Sequence, residues 1–411
     1  MPEPPPARSR APGTPGPFRV FAAANGLSVL GDYVSMVALS LFAFERTHSA
    51  VATGLLMALR VAAGLVIAPL AGRLVTHGDR RALLVVTDAC QALAMIALAL
   101  LLDAGDAAIP AAFAASAVTG AGLTVAGVAL RASVPAMVGE AVRVDANGLL
   151  AAVRAGATAG GFAAAGAILA TGGYGAAFLV NAASFAVSAA AIAWLPLPLR
   201  EQPRGEQAQR ERLPRRWRAL AARRATLARG GVLAMVAVRT LDACGSGSHN
   251  VALPVWFGSH APATAAQRYA GFLTAWALGN LLASTAIRRS SRRWLREPDL
   301  RAFVGGTCAM SACFVLAFVG WPPVPLLTIA ACAGVADGFT AISYVSRLQA
   351  VGEERRGDLF ALSAAGEGGG FGLGMLIAAL LLPALGPLAT VGLMHGLAIA
   401  AALALLRAAA R

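Results

Sequence analysis

The chain has 411 residues, 58% of them hydrophobic and only 13% charged, with a formal charge of +14. Soluble domains carry roughly 25% charged residues, so this composition excludes an ordinary water-soluble fold with a charged shell. Every one of the 34 basic residues is arginine. Such an excess would suit nucleic acid in a soluble protein, but no reader motif accompanies it, and its placement gives it another role.

Twelve apolar stretches are long enough to cross ~30 Å of hydrocarbon as helices rising 1.5 Å per residue. In chain order they are 18–43, 49–75, 81–102, 107–135, 146–170, 174–196, 229–257, 267–287, 301–320, 324–348, 358–383 and 386–407. Arginines crowd every second connection. Only Arg46 and Arg268 fall in the other set, and Arg60, Arg154 and Arg239 lie within stretches. This alternation is the positive-inside signature. It predicts an all-α, multi-pass protein of the inner (plasma) membrane, lodged in the lipid bilayer with both termini cytoplasmic.

Four regions follow. Residues 1–17 are Pro-rich and lack an apolar core with a following cleavage site, so they read as a disordered cytoplasmic tail rather than a signal peptide. Residues 18–196 form a predicted N-terminal six-helix bundle and 229–411 a C-terminal one. Between them, 197–228 is a basic linker; with Arg229 it holds ten arginines. Pro214 suits a first helical turn, and Leu213, Trp217 and Leu220 share a face, so this segment reads either as a helix on the membrane surface or as a solvated linker. The five cysteines all lie in apolar stretches without a CxxC pair, which points away from disulfides and zinc. No cofactor or metal is expected.

The halves are weakly alike: GGFAAAGAIL at 160–169 resembles GGFGLGMLIA at 369–378. Small residues at such spacing let helices approach closely.

A charged side chain at mid-membrane costs ~2.5–3.5 kcal/mol even on insertion scales, which makes each one a functional candidate. Seven stand out: Asp32, Arg60, Arg154, Arg239, Asp242, Asp337 and Glu367. Asp32 lies ~21 Å from the cytoplasmic start of its stretch and Arg60 ~22 Å from the cytoplasmic end of the next. At that matched depth they read either as a protonation-sensitive switch or as a permanent ion pair. Arg239 and Asp242, three residues apart, share a helix face and are placed to neutralise each other. Glu367 has no arginine beside it in sequence, and burial would favour its protonated form, as a proton carrier requires. Asp337 is similar. His249 is a weaker relay candidate. Asp88 reads as a structural acid near a helix end. Polar cavity candidates are Asn25, Tyr33, Asn181, Asn250 and Asn280, with Trp276 and His395 among other candidates.

Three stretches resemble the major facilitator superfamily, and within it the macrolide-efflux and enterobactin-exporter branch: FRVFAAANGLSVLGDYVSMVALSLFAFERTHSA (18–50), PLAGRLVTHGDRR (69–81), and the run from VPAMVGEAVRVDANGLLAAVRAGATAGGF (134–162) to FLVNAASFAVSAAAIAWLP (178–196). The resemblance implies the major facilitator fold, twelve transmembrane helices in two six-helix halves. It also carries the cytoplasmic loop motif Gly72, Asp79, Arg80 and Arg81, although Thr76 stands where the family has an acid. Gly161-Phe162 replaces the Gly-Pro pair of the antiporter motif. Arg154 matches an arginine of the branch, and fold analogy suggests that it faces Glu367.

The implied function is secondary active export of a small, largely apolar organic compound (a drug, siderophore or secondary metabolite) by alternating access. Protons are the implied coupling ion and a monomer the implied state. Asp32, Glu367, Asp337 and Asp242 are the proton-coupling candidates, with Arg60, Arg154 and Arg239 as their charge partners. An uptake permease or uncoupled facilitator of the same fold is the alternative, as is a transport-inactive scaffold or sensor. An enzyme is not expected: HExxH and G-x-S-x-G are absent, and without lysine no GxxxxGK[ST] loop exists.

Overall fold

A computed structural model describes residues 14–139, 142–196, 231–289, 300–351 and 353–409. Most of the N-terminal tail and the whole 197–228 linker, including its surface-helix reading, lie outside these.

Ten helices run through the described residues. The first four are α1 (Gly16–Thr47), α2 (Ala50–His77), α3 (Arg80–Leu100) and α4 (Ala108–Val138). The fifth, Arg143–Trp194, is broken at Gly173, where φ is 67° and ψ −165°. It is therefore two segments, α5 (143–172) and α6 (174–194). Then come α7 (Val232–His260), α8 (Ala265–Arg289), α9 (Leu300–Leu316) and α10 (Pro323–Gln349). The last helix, Glu353–Ala409, breaks at Gly386 with φ 73° and ψ 170°, giving α11 (353–385) and α12 (387–409). Both glycines occupy a backbone region that residues with a Cβ essentially cannot enter, which is how the chain reverses there without a loop. The result is twelve helical segments, one for each apolar stretch. Eight of the ten helices are long and apolar enough to span a bilayer as they stand. The other two are α7, whose polar run from Arg239 to Asn250 lowers its hydropathy, and the 17-residue α9.

Side chains fix several helix starts. Ser49 accepts a hydrogen bond from the Ala52 amide at 3.2 Å, capping α2, and Asp79 accepts from the Arg81 and Ala82 amides, capping α3. Such caps satisfy backbone donors that a helix leaves open.

Close helix pairs repeat along the chain. α1 lies along α5 and α7 along α11. Both contacts use the glycine-rich segments noted in the sequence: a Cβ on Gly161 would sit 2.7 Å from the Leu30 carbonyl, and one on Gly370 would strike the Thr240 carbonyl. α2 packs on α4, and α8 on α10. Between the first six segments and the last six, α5 meets α8 and α2 meets α11.

The apolar cores show where these two sets join. One large core, with Val37, Phe178, Leu253 and Phe272 among its members, draws on both sets and lies at the arginine-poor helix ends. At the arginine-rich ends there are two separate cores. Phe18, Leu84 and Met137 belong to one, built only from the first six segments; Phe303, Tyr344 and Leu405 belong to the other, built only from the last six. The protein is thus sealed at one end and divided at the other.

Replacing Gly386 by Ala forces a Cβ into a left-handed backbone and is expected to cost about 1–3 kcal/mol. Gly396→Ala, in a helical position with open space around it, is expected to cost nothing. Unfolding in mixed detergent micelles compares the two directly.

Candidate functional site

Burial makes charge matching the organising problem of the interior. On the first six segments Asp32 and Arg60 pair one to one. Arg60 Nη2 donates to Asp32 Oδ1 at 3.0 Å, and its Nη1 donates to Thr119 Oγ1 at 3.2 Å. α2 and α4 come close here because Gly120 has no Cβ to strike the Arg60 carbonyl. The pair expected from matched depths is therefore present as a contact.

A polar cavity of about 260 Å³ adjoins it, with Asn25, Asp32, Asp88, Gln91, Arg131 and Arg154 in its wall. Asp88, expected as a structural acid near a helix end, also lines this cavity. It lies ~12 Å into α3, is 4% exposed, and accepts a hydrogen bond from Gln91 Nε2 at 3.3 Å. It makes no ion pair among the described residues. The sequence marks Asp88 only as a structural acid and does not single out Arg131, because each lies within two turns or so of an arginine-rich end.

On the last six segments one cation meets three acids. Arg239 Nη1 donates to Asp242 Oδ2 at 2.6 Å, Arg239 Nε to Glu367 Oε2 at 3.4 Å, and Asp337 Oδ1 lies 3.7 Å from Nη1. Surrounding hydroxyls and amides complete the cluster. Asn280 Nδ2 donates to Asp337 Oδ2 at 3.0 Å. Ser363 donates to Glu367 Oε1 at 2.6 Å, and Tyr344 donates to Ser363 at 2.8 Å. The remaining oxygen of Asp242, Oδ1, is buried without a partner. The local Arg239–Asp242 pairing is thus only part of a larger cluster. Glu367 does have an arginine, but it comes from 128 residues earlier in the chain. Arg154 is not that partner: no ion pair joins it to Glu367, because α7 supplies the guanidinium that occupies the position.

Two buried histidines form a separate chain. His249 Nδ1 and His395 Nε2 are 3.1 Å apart, His395 Nδ1 is 3.1 Å from Ser311 Oγ, and the His249 ring stacks on Phe314 at 3.6 Å. His395 is 0% exposed, so it is a packing residue rather than a cavity contact.

The loop motif works through carbonyls. Arg80 donates to the Val75 and Ala132 carbonyls at 3.2 and 3.0 Å. Arg81 donates to those of Ile192, Ala193 and Leu195 at 2.8–2.9 Å. Both guanidiniums sit near helix C-termini, where the open carbonyls and the helix dipole favour a cation. Thr76, in place of the family's acid, donates to Gly72 O at 2.8 Å.

Two larger cavities lie between the sets. One, about 510 Å³, is mainly apolar, with Met36, Met57, Phe371 and Met375 beside Arg60 and Asn250. The other, about 700 Å³, runs between α5 and α8 and includes Tyr33, Arg154, Thr158, Trp276, Asn280 and Ser284. Of the polar cavity candidates, Tyr33, Asn250 and Asn280 line these two spaces and Asn25 the smaller polar cavity, but Asn181 lines none of the three. Its amide donates to Ser35 Oγ at 2.8 Å in a fully buried contact that ties α6 to α1.

The sequence profile described as "Major Facilitator Superfamily" matches residues 21–350, and the chain belongs to that superfamily. It is therefore an integral membrane protein of a transporter family. Solved structures agree on the fold. A bacterial homologue of the iron transporter ferroportin, in its inward-facing state, superposes with a TM-score of 0.69 at 15% identity over 94% of this chain and 98% of that one. The nucleoside transporter NupG gives 0.70 at 13% over 96% and 99%. A D-xylose-proton symporter gives 0.69 at 13% over 94% and 96%. At these identities the likeness carries the fold and not the substrate. A comparison with curated proteins gives no match.

Asp32→Asn leaves the partly buried Arg60 guanidinium without its counter-ion; the cost is expected to stay below the about 3–5 kcal/mol of breaking a fully buried pair. The double variant Asp32→Asn with Arg60→Gln is expected to recover most of that loss. Thermal unfolding of the purified single and double variants measures the cycle; additive losses would show that the two side chains do not depend on each other.

Proposed function

We propose that this chain is a proton-coupled exporter of organic compounds, akin to the macrolide-efflux and enterobactin-exporter branch that its first half resembles. In this reading 18–196 and 229–411 are the two units that rock about the midplane, with 197–228 as a cytoplasmic linker. By the arginine bias the divided end faces the cytoplasm. Substrate then enters from that side into the cavities between the units, and the opposite rocking motion releases it outside. The protein acts as a monomer in the plasma membrane.

The observation that carries this proposal is the ratio at Arg239: three carboxylates around one guanidinium. Fully ionised, the cluster would hold two uncompensated negative charges at bilayer depth, and each unmatched ion in a low-dielectric interior costs several kcal/mol. Taking up a proton relieves that imbalance. Glu367, the most exposed acid of the three at 36% of its side chain, is the entry point, and the unpartnered Oδ1 of Asp242 offers a second position. Protons loaded from outside and released to the cytoplasm would alternate with the substrate. The apolar, methionine-rich cavity supports a pliable organic substrate, since methionine side chains adapt to varied shapes.

The same cluster would serve symport, so direction must be measured. Everted membrane vesicles carrying the protein, given an inward-acid gradient and a panel of antibiotics and siderophores, are expected to accumulate substrate. Glu367→Gln is expected to lower gradient-driven accumulation at least about tenfold, on the scale of one lost general acid–base group, while substrate exchange at equal pH continues. Accumulation indifferent to the gradient would point to a facilitator, and no flux of any kind to an inactive scaffold.

A further inference from the structure

Arg154 lies ~16 Å into α5, in a part of the molecule where every other deep cation has an acid. No carboxylate stands within 4.0 Å of it among the described residues; its exposed side chain borders the polar cavity that holds Asp32 and Asp88 on one side and the space between α5 and α8 on the other. The α5 backbone does not explain it either: Thr158 donates to the Arg154 carbonyl at 2.9 Å, a contact that leaves the guanidinium uninvolved. A guanidinium kept at that depth without a contacting carboxylate is costly, which marks it as a functional residue.

The cavity it faces is large enough for a drug-sized ligand, at about 700 Å³. Among the described residues, Arg154 is the single charged side chain in its wall, so the cavity is cationic. This contrasts with the Arg239 cluster, where acids outnumber the cation. The rest of the wall suits a ring. Tyr33 meets Phe162 edge to face at 4.8 Å between centroids, and Phe162 meets Trp276 at 6.5 Å. The Trp276 indole N–H is buried with no acceptor in this conformation, a donor that native structures rarely leave unmet. Thr158 and Ser284 also line it, with their hydroxyls donating to the Arg154 and Asn280 carbonyls at 2.9 Å. Asn280 is less free, because its amide already serves Asp337.

We propose that the α5–α8 cavity is the binding site for a ring-bearing organic anion, with Arg154 receiving its carboxylate or sulfonate and the Tyr33–Trp276 wall receiving its ring. A guanidinium offers a planar fork of donors that fits a carboxylate in bidentate fashion and also stacks on aromatic faces. The proposal rests on the transporter reading and narrows its substrate class from largely apolar compounds to amphiphilic acids. It also assigns Arg154 a role other than partner to an acid of the protein.

A matched pair of fluorescent probes tests this: 8-anilinonaphthalene-1-sulfonate and N-phenyl-1-naphthylamine, which share their rings and differ in the sulfonate. Binding is measured on the purified full chain in nanodiscs of zwitterionic lipid, with empty nanodiscs subtracted. The sulfonate is expected to bind more tightly than the neutral probe. Arg154→Gln is expected to weaken the sulfonate about tenfold or more, the size of one charge-assisted contact, and to leave the neutral probe unchanged, which also reports that the variant is folded. Arg154→Lys is expected to restore part of the loss. The proposal is overturned if Arg154→Gln leaves sulfonate binding intact, if it weakens both probes equally, or if neither probe binds above empty nanodiscs. None of these results bears on proton coupling, which the vesicle assay at Glu367 decides separately.

Discussion

Charge at bilayer depth calls for a partner, and the deep charges of this protein are met to different degrees. Asp32 and Arg60 neutralise each other in a single 3.0 Å contact. Arg239 is shared among Asp242, Asp337 and Glu367. Arg154 makes no ion pair among the described residues, although it shares a cavity wall with Asp32 and Asp88. The first arrangement is complete as it stands and holds α1 to α2. The second has more acid than base and so has room for a proton. The third has a cation to spare and so has room for an anion. The two incomplete arrangements lie on different sets of helices, so motion of one set against the other changes the field that each experiences.

The scaffold keeps these groups in place through backbone proximity more than through large side chains. Glycines let α1 approach α5, α2 approach α4 and α7 approach α11, bringing side chains from distant parts of the sequence to one point. Arg81 gathers three carbonyls at the end of α6 and Arg80 binds α3 to α4, so the divided end of the first set is held by cations on helix termini. The sealed end is apolar and draws on both sets. The molecule is thus joined by one shared core at one end and separated into two cores at the other, as the proposed rocking of the two units requires.

Much of this was readable in the sequence, for physical reasons. Membrane thickness fixes stretch length, so hydropathy delimited twelve segments, although the two turns at Gly173 and Gly386 are abrupt enough that the helices run on almost continuously through them. The helix rise also placed Asp32 level with Arg60, because depth accumulates linearly along each helix. Rotation about the helix axis and neighbours in space are not encoded so simply. Glu367 looked isolated because its partner lies 128 residues away. Fold analogy set Arg154 opposite it, whereas α7 fills that position with Arg239. Asn181 and His395 read as polar and therefore as cavity groups, yet each is consumed by a buried hydrogen bond. Asp88 read as a structural acid near a helix end and Arg131 was not singled out, but the cavity they line reaches that far.

The central claim is that one guanidinium cannot neutralise the three carboxylates around Arg239, so the cluster carries an exchangeable proton. Infrared difference spectroscopy of the purified protein in lipid, stepping the pH across neutrality, observes this through the carbonyl stretch of a protonated carboxyl group. A protonated-carboxyl band that titrates with pH and is lost or displaced in Glu367→Gln or Asp337→Asn is the predicted result. A spectrum with no protonated carboxyl at any pH at which the protein stays folded, or a band untouched by either substitution, would contradict it.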